Sequence, residues 1–172
     1  MCEGKMPTVN NVTRLLDSKK IPYTAFELPP EKLSARETAR LLQVPARRVF
    51  KTIVTLRPSP GSRPVLALIP ANCQLDLKAL ASALGEKKMR LPTQHEAEQL
   101  TGLQAGGISP LALINRGFSV VIDRSALDED LIHVSGGQRG LNIRLPVKAL
   151  IQLTRAQIAA IAEPSDVEDE QE

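Results

Sequence analysis

The segment RVFKTIVTLRPSPGSRPVLALIP, from Arg48 to Pro70, contains two apolar stretches joined by a short polar connection. The β-branched and aliphatic residues of RVFKTIVTL and PVLALIP are typical of strands. The prolines, glycine and serines of RPSPGSRP favour a turn, and its arginines keep that turn in water. The segment therefore predicts an antiparallel hairpin.

Lys51 is unusual within this hairpin. Side chains alternate along a strand, so Lys51 shares one face with Val49 and Ile53. The opposite face carries Phe50 and Val54, so neither face resembles a solvated surface. The simpler interpretation is a lysine that buries its methylene groups and keeps its ammonium in water. A functional role requires other residues that converge on the same place.

Helix and strand patterns surround the hairpin without a regular period. Ser34 with Glu37, and Thr93 with Glu96, form capping boxes. Helices are predicted in TVNNVTRLLDSKK, LSARETARLLQV, LKALASAL, AEQL and PVKALIQL, and in RAQIAAIA with Thr154 as its cap. Further strands are predicted in YTAFEL, FSVVID, LIHV and LNIRL. This order indicates an α/β (α+β) fold, with a mixed, partly closed β-sheet surrounded by helices.

Length and charge indicate one folded body and a short acidic end. A chain of 172 residues with 42% hydrophobic content suits a single domain. The net charge is +3, but the last ten residues, EPSDVEDEQE, contain six acidic residues and no basic one. The remaining 22 basic and 13 acidic residues give the body a charge of +9, which suits a polyanion such as nucleic acid. We expect a domain over residues 1–162 and an acidic, disordered tail over residues 163–172.

The sequence contains no pattern typical of a membrane segment, a signal peptide or a metal site. No apolar run approaches the roughly 20 residues that span a bilayer, and the N-terminal MCEGKMPTVNN lacks an apolar core. Cys2 and Cys73 lie far apart, and His95 and His133 form no metal-ligand spacing with them or with each other. We expect a cytoplasmic protein with no membrane association, no metal and no cofactor.

Two glycine-containing turns are the other unusual features. GGISP covers residues 106–110 and SGGQRG covers residues 135–140. Paired glycines let a backbone approach a ligand closely and present N–H groups to an oxyanion or a phosphate. Neither turn matches the spacing of a P-loop or of a dinucleotide-binding motif. Each is explained by a tight turn alone unless both converge on the cleft that holds Lys51.

No conventional nucleophile is evident. Ser109 precedes a proline, Ser135 begins a glycine turn, and the chain has no G-x-S-x-G elbow. Cys73 lies just before a predicted helix, where packing is the simpler role. An enzyme built on this chain would act by positioning and electrostatics. A non-catalytic nucleic-acid- or nucleotide-binding module fits the basic body equally well.

Four segments resemble, in their order and spacing, the YbaK/EbsC family of bacterial aminoacyl-tRNA deacylases, which is related to the editing domain of prolyl-tRNA synthetase. They are FKT, QLDLKALASALGEKKM, TGLQAGGISPLA and VIDRSALDEDLIHVSGGQRGLNIRL. The resemblance runs from about Thr8 to Ala162, and the pairing of GGISP with the later glycine turn is its most specific part. The pattern is most similar to the YbaK branch, which removes cysteine from proline tRNA, rather than to the ProX branch, which removes alanine.

The resemblance implies a mixed sheet of about six or seven strands, with a cleft that receives the 3′ end of a charged tRNA. The conserved lysine of the family corresponds to Lys51, which we predict to be catalytic. The implied substrate-binding residues are Tyr23, Gly106, Gly107, Ser109, Pro110, Ser135, Gly136 and Gly137. Relatives often have phenylalanine at the position of Tyr23, which is a mild difference.

The implied reaction needs no protein nucleophile, because an aminoacyl ester is already activated. The N–H groups of Gly106 and Gly107 would stabilise the developing oxyanion, while Lys51 would orient the 3′ adenosine. In the family, the thiol of the substrate cysteine attacks its own ester, and hydrolysis by a bound water is the alternative. The expected partners are the acceptor end of tRNA(Pro) and, transiently, prolyl-tRNA synthetase. Removal of alanine from Ala-tRNA(Pro) stays open as a second possibility.

Overall fold

The computed structural model describes residues 8–166 of the chain. Within them, the helices are α1 (Asn11–Ser18), α2 (Ala35–Leu42), α3 (Leu77–Leu84), α4 (Gln94–Thr101) and α5 (Val147–Thr154). The strands are β1 (Thr24–Glu27), β2 (Phe50–Thr55), β3 (Val65–Pro70), β4 (Cys73–Leu75), β5 (Ser119–Asp123), β6 (Leu131–Ser135), β7 (Leu141–Pro146), β8 (Gln157–Ala159) and β9 (Ala162–Pro164). None of the helices in this part of the chain is long and apolar enough to cross a membrane.

The predicted hairpin forms the edge of a four-stranded mixed sheet with the order β2-β3-β5-β8. β2 and β3 are antiparallel, with Lys51 opposite Ile69. β5 runs parallel to β3, and β8 runs parallel to β5. Every residue of β3 is buried, because both faces of this strand are covered.

A second sheet of three antiparallel strands, with the order β1-β7-β6, adjoins the first. A single parallel bridge between Val49 and His133 connects the start of β2 to β6. The two sheets therefore form a partly closed structure, as predicted from the sequence. β4 and β9 form a separate two-stranded ribbon.

Two hydrophobic clusters cover the two faces of β2 and β3. The first lies between the sheets and includes Phe50, Val54, Leu66, Leu68 and Leu141. The second lies against α3 and includes Val65, Ala67, Ile69, Leu80 and Ala81. Because β2 contributes to both clusters, both of its faces are apolar, as expected from its sequence.

Short polar signals determine where the helices begin. Ser34 and Thr93 cap α2 and α4, and each forms the predicted capping box with a glutamate three residues later. Asp76 accepts a hydrogen bond from the N–H of Ala79 at 3.0 Å and caps α3. Gly85 and Gly102 end α3 and α4 in the left-handed conformation, as their positions indicated.

The predicted helix in RAQIAAIA is wrong. Arg155 ends α5 with a φ of +55°, and the hydroxyl of Thr154 donates to the carbonyl of Leu150 at 2.7 Å instead of capping a new helix. Ile158 then lies opposite Ile122 in the parallel pairing of β8 with β5. Pairing with a buried strand overrides local helix propensity in this segment.

The folded body also extends past the predicted boundary at Ala162. Glu163 and Pro164 belong to β9, and the carboxylate of Glu163 accepts a hydrogen bond from Gln74 at 2.7 Å. The N–H of Ser165 donates to the carbonyl of Asn72 at 3.1 Å. Residues 167–172 of the predicted acidic tail lie outside the described residues.

Candidate active site

A cleft of about 770 Å³ opens where β2 and β6 separate after the Val49–His133 bridge. β2 lines this cleft from Phe50 to Val54. The opposite walls come from α4, from the two glycine turns and from the start of β7. Its size suits a ligand as large as an amino acid joined to a nucleoside.

Lys51 lines the cleft and is only 6% exposed. Its face of β2 also carries Ile53, which packs with Leu75 and Leu77 in the second hydrophobic cluster. A lysine that simply extends its ammonium into solvent would be far more exposed. The buried position inside a cleft therefore favours a functional role over the simpler interpretation of the sequence.

The two glycine turns pack directly against each other. A Cβ on Gly107 would lie 2.9 Å from backbone atoms of Gln138 and Arg139. The guanidinium of Arg139 also donates from Nε to the carbonyl of Ala105 at 2.7 Å. This contact brings GGISP and SGGQRG to the same end of the cleft that Lys51 lines.

The predicted site residues divide into two groups. Gly106 and Ser135 line the cleft together with Lys51. Gly107, Ser109, Pro110, Gly136 and Gly137 do not line it. Ser109 is fully buried and its hydroxyl accepts a hydrogen bond from the N–H of Leu111 at 3.1 Å. Pro110 lines a different cavity, at the start of β5.

The remaining glycines support the turns. Gly136 packs against the side chain of Leu141, and Gly137, with a φ of +93°, lies against Val12 of α1. The N–H of Gly107 donates to the carbonyl of Gln104 at 2.8 Å, so it is not available as an oxyanion donor. This corrects the expectation that Gly106 and Gly107 both supply such donors.

Tyr23 lies away from the cleft. Its hydroxyl donates to the carboxylate of Asp17 at 3.0 Å, and the side chain packs on the first hydrophobic cluster. Burial raises the pKa of the Tyr23 hydroxyl, and the hydrogen bond to Asp17 and its negative charge add to this effect. The contacts of Tyr23 thus connect α1 to the start of β1.

Cys73 lies near the Lys51 side of the cleft. Burial raises the pKa of its thiol, Asp123 raises it further, and the positive charges of Lys51 and Arg36 act in the opposite direction. A thiol with a raised pKa is mainly protonated at neutral pH and is a weak nucleophile. Residues 8–166 contain no cluster of three or more histidine, cysteine, aspartate or glutamate side chains that could hold a metal ion.

Asn142 and Thr52 are cleft residues that the sequence did not single out. Asn142 is buried, and its Oδ1 lies 2.8 Å from Nδ1 of His133. Because an amide oxygen only accepts, His133 donates through Nδ1–H in this arrangement. A polar residue inside an apolar strand was the available signal in LNIRL and in FKTIV, but it did not indicate which way the side chain faced.

His133 makes the stability of the protein sensitive to pH. Burial lowers its pKa, the bond to Asn142 opposes this, and the positive charges of Arg144 and Arg48 lower the pKa further. The histidine has a pKa of about 6.5 in the unfolded chain. Below this pH the unfolded chain therefore binds a proton more readily than the folded chain does. The stabilisation is complete above about pH 6.5 and is lost as the pH falls towards the lower folded-state value.

We expect the His133→Gln variant to lose less unfolding free energy than the wild type between about pH 7.5 and about pH 5.5. Urea unfolding at the two pH values measures this difference. His95→Gln is the control, because His95 is exposed on α4, and it should behave as the wild type does. An equal decrease in unfolding free energy for the wild type and His133→Gln would show that His133 does not cause the pH dependence.

Comparison with known proteins identifies the family of this chain. Residues 29–153 match the family model described as the aminoacyl-tRNA editing domain. A protein of Enterococcus faecalis that bears the name Cys-tRNA(Pro)/Cys-tRNA(Cys) deacylase EbsC is 36% identical over 94% of this chain and 98% of its own length. A proline–tRNA ligase of Streptococcus gordonii is 29% identical over 60% of this chain, which corresponds to 18% of the ligase.

Solved structures show the same fold. The structure of hypothetical protein APE2540 has a TM-score of 0.81 and 24% identity, and the match covers 90% of this chain and all of that one. A structure described as a trans-editing enzyme for prolyl-tRNA synthetase has a TM-score of 0.74 and 24% identity over 91% of this chain and 99% of its own. The α/β fold and the family resemblance predicted from the sequence are confirmed, and the chain belongs to the aminoacyl-tRNA editing domain family.

Proposed function

We propose that this chain is a trans-editing deacylase that removes cysteine from mischarged Cys-tRNA(Pro). The observation that carries the proposal is the buried Lys51 in a cleft that also contains Gly106 and Ser135. The near-complete match to a relative named as a deacylase of cysteinyl-tRNA supports the choice of cysteine. The acceptor end of the tRNA is the partner, and a transient complex with prolyl-tRNA synthetase in the cytoplasm would supply the mischarged substrate.

The proposed reaction uses the thiol of the substrate. The thiol loses its proton, its sulfur bonds to the carbonyl carbon of its own ester, the bond from that carbon to the ribose oxygen breaks, and the ribose oxygen takes up a proton. The products are a cyclic thiolactone and uncharged tRNA. The roles of the protein are to hold the ester in a bent conformation and to stabilise negative charge on the oxygens.

Lys51 supplies the positive charge for this task. A cation next to the ribose and its phosphate fixes the 3′ nucleotide, and it also favours the ribose oxygen as a leaving group. Gly106, whose φ of +88° brings its backbone to the cleft wall, lies beside the expected position of the ester. The cleft contains a buried cation, and the residues that line it include no evident protein nucleophile. This arrangement is consistent with a reaction in which the substrate provides the nucleophile.

The test is deacylation of tRNA(Pro) charged separately with cysteine, alanine and serine. We expect rapid loss of cysteine and much slower loss of serine, because a hydroxyl is a far weaker nucleophile than a thiol. Recovery of a thiolactone rather than free cysteine would support cyclisation. Selective loss of alanine would contradict the choice of cysteine, and tRNA binding without any deacylation would favour the non-catalytic module.

A further inference from the structure

The edge of β2 that faces away from β3 is open to the cleft. The carbonyl of Val49 accepts from the N–H of Ala71 at 2.8 Å, so odd-numbered residues of β2 direct their peptide groups towards β3. Leu56 and Arg90 exchange hydrogen bonds of 2.9 and 3.0 Å on the other edge. Between the Val49–His133 bridge and Leu56, the peptide groups of Thr52 and Val54 therefore face the cleft.

Thr52 adds an unsatisfied hydroxyl to this edge. Its Oγ1 is buried and has no hydrogen-bond partner among the described residues. A buried polar group without a partner destabilises a folded protein, so native structures rarely contain one. Thr52 also lines the cleft, which means that a bound substrate can supply the missing partner.

Residues from both faces of β2 line the cleft, and we call the two parts the Thr52 lobe and the Lys51 lobe. Thr52 shares its face with Phe50 and Val54, which belong to the first hydrophobic cluster, and Ala97 and Ile108 pack against that cluster. Lys51 is on the other face, where Leu75 and Leu77 line the cleft. Ser135 and Asn142, which line the cleft near Leu141, give the Thr52 lobe uncharged polar atoms and apolar walls.

Charge determines which part of the substrate each lobe suits. The 3′ nucleotide of a tRNA carries a phosphate, which is attracted to the cationic Lys51 lobe. The aminoacyl ester carries hydrogen-bonding groups and a small side chain, which match the Thr52 lobe. We infer that the Thr52 hydroxyl hydrogen-bonds to the aminoacyl ester and contributes to the choice of substrate.

This inference rests on the proposed function and is tested with Thr52→Val, which removes the hydroxyl and keeps the shape of the side chain. We expect kcat/KM for Cys-tRNA(Pro) to fall by about 10- to 100-fold, as for the loss of one hydrogen bond to a substrate. The melting temperature should stay the same or rise, because an unsatisfied buried hydroxyl is replaced by a methyl group. Thr52→Ser, which restores the hydroxyl, should recover most of the activity.

Thr55→Val is the matched control on the same strand. The hydroxyl of Thr55 is buried but donates to the carbonyl of Val65 at 2.9 Å, and Thr55 does not line the cleft. Its loss removes a buried hydrogen bond, so we expect a lower melting temperature and wild-type activity. The two substitutions remove the same atom and should give opposite patterns.

Competition by uncharged tRNA identifies the part of the substrate that Thr52 contacts. Thr52→Val should leave the inhibition constant of uncharged tRNA(Pro) unchanged, since that molecule lacks the ester. A parallel loss of affinity for uncharged tRNA would overturn the contact to the aminoacyl group. A fully active Thr52→Val would overturn this inference alone, whereas a wild-type protein that deacylates no substrate would overturn the proposed function together with it.

Discussion

Replacement of Lys51 by methionine is expected to lower kcat/KM for the mischarged tRNA by about 100- to 1,000-fold, the range seen when one group that stabilises transition-state charge is removed. Methionine keeps an unbranched apolar side chain of similar length, so the 6%-exposed site stays filled. Deacylation measured under single-turnover conditions reports the chemical step. Lys51→Ala should give a similar loss, because the charge and not the packing is responsible.

Lys148→Met is the matched control for this prediction. Lys148 is exposed on α5 and does not line the cleft. Both variants remove one positive charge from a basic body, so a general loss of tRNA attraction would lower the activity of both equally. Near-wild-type activity of Lys51→Met would exclude a role for this lysine in deacylation.

Gly107→Ala should destabilise the folded protein by about 3 kcal/mol, since an overpacked methyl group cannot be relieved without moving backbone. The added Cβ would lie 2.9 Å from the Cα and carbonyl carbon of Gln138 and from the nitrogen of Arg139. Separation of the two turns would also displace Gly106 and Ser135 in the cleft. Urea unfolding measures the stability, and deacylation of Cys-tRNA(Pro) measures the effect on the site.

Gly61→Ala provides the comparison for Gly107→Ala. Gly61 has a φ of +77° and no neighbouring atom within 4 Å of an added Cβ, so only the backbone conformation is penalised, by about 1 kcal/mol. Equal destabilisation of the two variants would mean that the turns do not need close contact. A larger effect at Gly107 would assign the cost to the packing of GGISP on SGGQRG.

Local chemistry explains which parts of the fold the sequence predicted correctly. Ser34, Asp76 and Thr93 cap helices through hydrogen bonds within three residues, so their effect is independent of the rest of the chain. The hairpin likewise depends on a short turn between two apolar stretches. β8 forms because it pairs with β5, and no local pattern in RAQIAAIA indicates that pairing.

The site was predicted less completely, because it depends on contacts between distant parts of the chain. The pattern of Lys51 and the two glycine turns indicated the cleft, and the structure brings Gly106 and Ser135 to it. The turns meet through contacts between residues about 30 positions apart in the chain, which explains why glycines such as Gly107 serve packing rather than binding. The two lobes depend on which faces of β2 the distant β7 and α3 cover, so Thr52 had no distinguishing signal.

The pairing of β1 with β7, and of β4 with β9, affects how this protein is made. Synthesis delivers Thr24–Glu27 long before Leu141–Pro146, and Cys73–Leu75 long before Ala162–Pro164. Contacts between such distant segments form slowly, and unpaired strands are prone to aggregate in the meantime. Because Leu141 and Asn142 of β7 line the cleft, the binding site is complete only after these late residues have been synthesised.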